Sequence, residues 1–269
     1  MSVVFSTCWY SLKAKFPEST YKSWMDNMLS SVNHHHLVLY TDKHNYPFFF
    51  SKYGHNQNIK IIVKPIEEFY NYRHRDFWNN NHLKNPLLNT KINWELNMLW
   101  CEKVHFVHQT YISQYFPKCD YYGWIDIGYF RCRPQLDVPR EQLHRFPNPQ
   151  KISQLNPDKI HYALVNNDMN YIQYLFQTVQ AGQPLPQNQI SIAGGFFIGH
   201  KHKIEWWKDV FTQKLEQYIA QGSVVKDDQI IIVDCVLNDF IQHSGNFDLH
   251  QTSSEMTTDP WFLFSHTLL

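Results

Sequence analysis

An α/β fold on a mixed, mostly parallel sheet flanked by helices is the class this sequence predicts. Three observations point there. Over the first 65 residues, short apolar runs that read as strands alternate with a helix-spaced segment. Two of the strand-like runs in the chain end on a carboxylate, Asp42 and Asp126. A long helical pattern then leads directly into the second of these runs, as a crossover to a parallel strand requires.

The elements follow in order. "VVFSTCW" (3–9) reads as the first strand. Pro17, Glu18 and Ser19 open a helix, with Ser19 as its expected cap. Tyr21, Trp24, Met25, Met28, Leu29 and Val32 supply its apolar face. "HLVLYTD" (36–42) is the second strand, and "IKIIVKP" (59–65) the third, stopped by Pro65. Residues 71–91, rich in Asn and charge, read as an irregular loop. A long helix is expected over 93–112, leading into "YYGWIDIGYFR" (121–131), a buried strand ending on Asp126. Residues 132–156, with four prolines, read as a second loop-rich insertion. Beyond it come a strand at 160–166, a helix at 170–182 stopped by Gly182, a glycine-broken strand at 190–200, and helices at 204–220 and 226–240. The aromatic tail "DPWFLFSHTLL" is expected to pack back on the body. With no internal repeat and no Gly/Ser linker, residues 1–269 are expected to form one domain.

Composition bounds the function. Hydrophobic residues make up 43% of the chain, which argues against disorder. Lys plus Arg and Asp plus Glu both number 24, so no basic excess drives nucleic-acid binding. Cys8, Cys101, Cys119, Cys132 and Cys235 are scattered and form no CxxC pair, which argues against a zinc ribbon or a disulfide framework. Reduced thiols in a cytoplasmic setting fit that usage best. The N-terminus carries neither a basic lead nor a long apolar run, so no signal peptide is expected. No run of about 18 apolar residues suits a membrane-spanning helix, which leaves room for a peripheral membrane contact.

Three stations at element ends could carry chemistry: Asp126 to Gly128, Ala193 to Gly195, and Asp227 to Gln229. Asp126 could hold a divalent cation or a ribose hydroxyl, or it could cap a turn served by Gly128. Gly194 and Gly195 could let a sugar approach the backbone, or they could simply kink a core strand. Asp227 and Asp228 both complement a helix dipole. Two in succession suggest that one caps and the other is free to act as a general base. Arg73, Arg75, Lys103 and Arg131 could neutralise a diphosphate. His34, His35 and His36 read as a solvated turn, and His105 and His108 lack a third ligand nearby. No P-loop, dinucleotide-binding or nucleophile-elbow motif is present.

As an ordered set, "STCWY", "LYTD", the "W..L..LW..K..FV" helix, "WIDIGYFR", "AGGFFIG" and "DDQ" resemble the HtrL/YibB-like family and, more broadly, GT-A nucleotide-sugar glycosyltransferases. The resemblance spans residues 3–240. It implies transfer of a sugar from a nucleoside-diphosphate sugar to a hydroxyl of a glycan or glycolipid acceptor. It implies that Ser6 to Trp9, Thr7 included, lie against the nucleotide and that Asp42 approaches the base or ribose. It places Asp126 as the first carboxylate of a DxD-type motif holding Mn2+ or Mg2+, with His266 as a tail ligand. This sequence departs from that motif at Gly128. The resemblance further implies that Lys103 and Arg131 face the diphosphate, that Gly194 and Gly195 line the sugar site, and that Asp228 and Asp227 are catalytic. A catalytically silent nucleotide- or carbohydrate-binding protein of the same fold is the competing expectation, supported by Gly128. A nucleotidyltransferase ranks third, because "STCWYSLKAKFPES" lacks the glycines that hold a triphosphate.

Overall fold

The computed structural model describes residues 2–253 and 258–269. In chain order the elements are β1 (Val3–Trp9), α1 (Glu18–Ser30), β2 (His36–Thr41), α2 (Tyr46–Tyr53), β3 (Ile59–Val63), α3 (Arg75–Leu83), α4 (Trp94–Ser113) and β4 (Tyr121–Ile125). They continue with α5 (Pro149–Ile152), β5 (Ile160–Ala163), α6 (Met169–Gln180), β6 (Phe196–His200), α7 (Lys201–Ala220), α8 (Asp228–Ile241), β7 (Phe247–His250) and α9 (Leu263–Thr267).

Among the described residues the strands form one sheet in the order β3-β2-β1-β4-β6-β5-β7. Only β6 runs against its neighbours, so the sheet is mixed and mostly parallel. Strands β1, β2 and β4 are buried almost throughout because both faces of the sheet are covered. One face packs against α3, α4, α6, α7 and α8 through Trp78, Met98, Leu175, Trp207 and Ile230. The other packs against α1, α2, the segment after β4 and α9 through Met25, Phe49, Phe146 and Phe264. Among the described residues, no helix is long and apolar enough to cross a membrane. All five cysteines are free.

Several local expectations need correction. Residues 71–91 are not an irregular loop, since α3 and a preceding 3-10 turn (Tyr70–His74) occupy most of the segment. Asn71, Asn81 and Asn85 look loop-like in sequence but are buried and bonded to backbone: the Asn81 side chain, for one, donates to Val225 O and accepts from Val225 N, both at 2.8 Å. Ser19 lies inside the first turn of α1, whose cap position is Pro17 with no side-chain cap bond. Residues 190–200 form a strand only from Phe196, because Gly194 and Gly195 sit in a bend. His35 is not solvated: it is buried against Phe5 and Phe146, at ring-centroid distances of 5.5 and 5.9 Å. The short helix α2 follows Asp42, where sequence showed only a linker.

Candidate active site

From β1 the chain steps outward to β2 and β3, then returns to place β4 on the other side of β1. The two parallel strands therefore diverge in connectivity at their carboxyl ends, where open α/β sheets form a ligand crevice. A cleft of about 400 Å³ opens there. Its walls are Trp9 and Tyr10 at the end of β1, Trp24 on α1, Asp126 to Tyr129 after β4, Gly194 and Gly195 before β6, Asp227 to Gln229 opening α8, and Trp261 and Phe262 from the tail.

Lys103, on the buried midsection of α4, organises the floor. Its Nζ lies 3.1 Å from Asp126 Oδ1 and 3.0 Å from Asp228 Oδ2, and donates to Gly194 O at 2.9 Å. Of the three contacts, the one to Gly194 O has hydrogen-bond geometry, while the two carboxylates are ion-pair partners and the buried Asp228 Oδ2 accepts no hydrogen bond. Trp124 Nε1 donates to the same Asp126 oxygen at 2.6 Å, and the Asp126 backbone N–H donates to Gly195 O at 2.8 Å. The Asp126 side chain remains 42% exposed, whereas that of Asp228 is only 5% exposed.

The paired glycines make this approach sterically feasible. A Cβ at Gly194 would lie 2.8 Å from Asp228 Oδ2, and one at Gly195 would lie 3.3 Å from Asp126 Oδ2. Burial pushes the Asp228 carboxyl up to about 6, opposed by Lys103 and reinforced by Asp227 and Asp126. Burial alone would lower Lys103, but Asp126 and Asp228 outweigh it and hold the ammonium charged. Asp227 takes the N-cap position of α8, yet its side chain makes no capping bond. Its Oδ2 lies 3.2 Å from Lys226 Nζ, and its buried Oδ1 has no hydrogen-bond partner. The expected division into one capping and one free aspartate therefore does not occur, because both carboxylates turn toward ammonium groups.

Of the four basic candidates, Lys103 and Arg131 line the cleft. The Arg131 guanidinium lies 4.5 Å from the Trp24 ring centroid and 4.6 Å from that of Phe262. Arg73 instead pairs with Glu216, and Arg75 lies beside Asp76. Thr7 does not line the cleft: it is fully buried within β1, and its hydroxyl lacks a partner. Asp42 does not line it either, because its carboxylate folds back onto His44 N and Asn45 N, both at 2.8 Å, ahead of α2. His266 lies on α9 outside the lining, where the tail contributes Asp259, Trp261 and Phe262 instead.

The donors at Asp126 do not fit a resident divalent ion, which needs several oxygen ligands. Lys103 already takes the cation position between Asp126 and Asp228. Gly128 adds no donor, and its lack of a side chain serves packing, since a Cβ there would lie 2.9 Å from the Trp24 ring. Among the described residues, no three carboxylate, imidazole or thiolate donors converge in the cleft. Sequence reasoning did not single out Lys15, Trp24 or the tail aromatics as cleft residues; the one available signal was the aromatic density of "DPWFLF".

The family described as "Bacterial protein of unknown function (HtrL_YibB)" matches residues 9–249. Among solved structures, the chain is similar to mouse xyloside xylosyltransferase 1 in its apo form. Sequence identity there is 10%, the match covers 93% of this chain and 84% of that one, and the TM-score is 0.46. That likeness is too distant to bear on activity. No curated protein matches.

Proposed function

We propose that this chain, which belongs to the HtrL_YibB family of bacterial proteins of unknown function, is a glycosyltransferase using a nucleoside-diphosphate sugar and a glycan or glycolipid hydroxyl. The observation that carries this reading is the Asp126–Lys103–Asp228 cluster at the sheet's switch point, inside an aromatic cleft. The aromatic walls suit the flat faces of a base and a sugar. Breaking the anomeric bond leaves negative charge on the diphosphate, and fixed cations aimed at developing charge are usually the largest catalytic contribution. Arg131 supplies one such charge at the wall, and Lys103 keeps the aspartates beneath from opposing it. The acceptor hydroxyl must lose a proton, and Asp228, poised at about 6, is ionised and basic enough at neutral pH to take it. Asp227 lies beside it with one oxygen free of partners.

One observation favours a silent binding protein instead: the Lys103 charge is already paired with two carboxylates of the protein, and Asp126 stands without a second strand-end carboxylate. The two readings separate in one experiment. A panel of nucleoside-diphosphate sugars is screened by thermal shift, and diphosphate release is then followed for wild type and Asp228→Asn. The transferase reading expects at least one donor to stabilise both proteins, with release at least about 100-fold slower in the variant. Stabilisation without any release by wild type supports the silent reading, and no stabilisation by any donor overturns both.

A further inference from the structure

We propose that His161, Asp248 and His250 form a transition-metal site, taking Zn2+, on the sheet edge away from the cleft. Strands β5 and β7 run parallel with His161 opposite Asp248 and Ala163 opposite His250. Asp248 and His250 are two residues apart, so their side chains leave the same face of β7. His161 Nδ1 lies 2.9 Å from His250 Nε2 and 3.5 Å from Asp248 Oδ2, and the latter is 3.7 Å from His250 Nε2.

The size of this triangle is informative. A point equidistant from the three atoms lies about 2.0 Å from each. In a tetrahedral site with bonds of about 2.1 Å, the circle through any three donors also has a radius of about 2.0 Å. Two of the three separations, 3.5 and 3.7 Å, lie near the edge of about 3.4 Å of such a tetrahedron, and the third, 2.9 Å between His161 Nδ1 and His250 Nε2, is a hydrogen bond that an ion would replace. Two imidazole nitrogens and one carboxylate oxygen are a donor set that suits zinc.

The surroundings also fit. His161 is fully buried, and its Nε2 lies 2.9 Å from Asn156 O. Assigning the proton to Nε2 leaves the Nδ1 lone pair facing the other two donors, the arrangement by which outer partners orient metal-bound histidines. The Asp248 and His250 side chains are 40% and 28% exposed, which gives the ion a route in and a fourth position for water. An ion here would tie β7, whose only strand partner is β5 among the described residues, to the body of the sheet.

The test uses the full chain stripped with a chelator and titrated with Zn2+ under calorimetry and thermal shift, with Co2+ as a spectroscopic substitute. The expected result is one equivalent bound, a midpoint temperature that rises until one equivalent is reached, and a Co2+ visible spectrum of four-coordinate intensity. Binding should be lost in His250→Ala and Asp248→Asn, and kept in Asp126→Asn and in His202→Ala, which removes an exposed histidine beside Asp158. If His250→Ala does not fold, Asp248→Asn and the wild-type Co2+ spectrum decide. No stoichiometric binding, or binding that follows Asp126 or His202 instead, overturns the site. Because Asp126→Asn alters the cleft and leaves this site intact, failure here is distinguishable from failure of the transferase reading.

Discussion

The Lys103 ammonium has Asp126, Asp228 and Gly194 O as its partners, and the Asp228 carboxylate it faces is almost fully buried. Breaking a buried pair by removing one member leaves an uncompensated charge and costs about 3–5 kcal/mol. Lys103→Met is therefore expected to destabilise the fold on that scale and to abolish diphosphate release, with no recovery on adding Mn2+. The pH dependence has a definite sign. Without Lys103, the Asp228 carboxyl moves further above its present value of about 6. A folded-state value above the unfolded one contributes stability at low pH that is lost as pH rises through it. The deficit measured by urea unfolding should thus be larger at pH 8 than at pH 5. A pH-independent deficit, or rescue by Mn2+, would remove Lys103 from its role as the site's fixed cation.

Asn81 and Asn85, on and just after α3, and Asn97 on α4 bond the backbone of Val225 and Lys226. Those two residues directly precede Asp227 and Asp228, so the three amides set where the aspartates enter the cleft. This explains why 71–91 read as a loop: asparagine is a turn-former in sequence statistics, and only a partner distant in the chain makes it a buried clamp. Asn81→Ala leaves the buried Val225 N–H unsatisfied, at a cost of about 1–3 kcal/mol, while Val225 O keeps its bond from Asn97. The expected outcome is a lower unfolding midpoint, with turnover falling more than donor affinity does. Equal losses in both would mean that the clamp supports the whole cleft rather than the aspartates. The helix α2 was missed for a related reason: "YPFFFSKY" is apolar nearly throughout, and its division into buried Phe49 and Tyr53 and exposed Phe48 and Phe50 comes from packing on the sheet.

Across the whole molecule, buried titrating groups oppose one another. Burial holds His35 and His105 down to about 3, below the ordinary 6.5. The unfolded chain therefore binds more protons at these groups, and their contribution is full above pH 6.5 and lost as pH falls. Burial holds Glu102 up to about 7, against hydrogen bonds from the Tyr70 and Asn71 amides, and holds Asp228 up to about 6. Their contribution is full at acid pH and is lost as pH rises through those values. Each unbalanced proton is worth about 1.4 kcal/mol per pH unit. Burial also holds His161 down to about 4, so between pH 5 and 6.5 the three histidines outweigh the two carboxyls, by about one proton near pH 5. Below about pH 4.5 the carboxyl contribution saturates while the histidines, and Asp26, held down to about 2 by its hydrogen bond to Lys52, continue to lose stability. Urea midpoints should climb from pH 5 to 6.5 and fall more steeply below 4.5. Level midpoints from 5 to 6.5 would show that the two carboxyls fully offset the three histidines.

The sequence by itself determined the alternation of strand and helix, the strand ending on Asp126, the glycine pair and the aspartate doublet, because periodicity and local chemistry are written in consecutive residues. It also marked Lys103 and Arg131 among four basic candidates, and the resemblance then singled out these two. Tertiary structure alone decided that Lys103 stands between Asp126 and Asp228, that Gly128 makes room for Trp24, and that Thr7, Asp42 and His266 lie away from the cleft. It alone brought His161 to Asp248 and His250 across 87 and 89 residues of chain. Contacts of that range depend on strand order and register, which follow from how the whole chain buries its apolar surface and not from any local run.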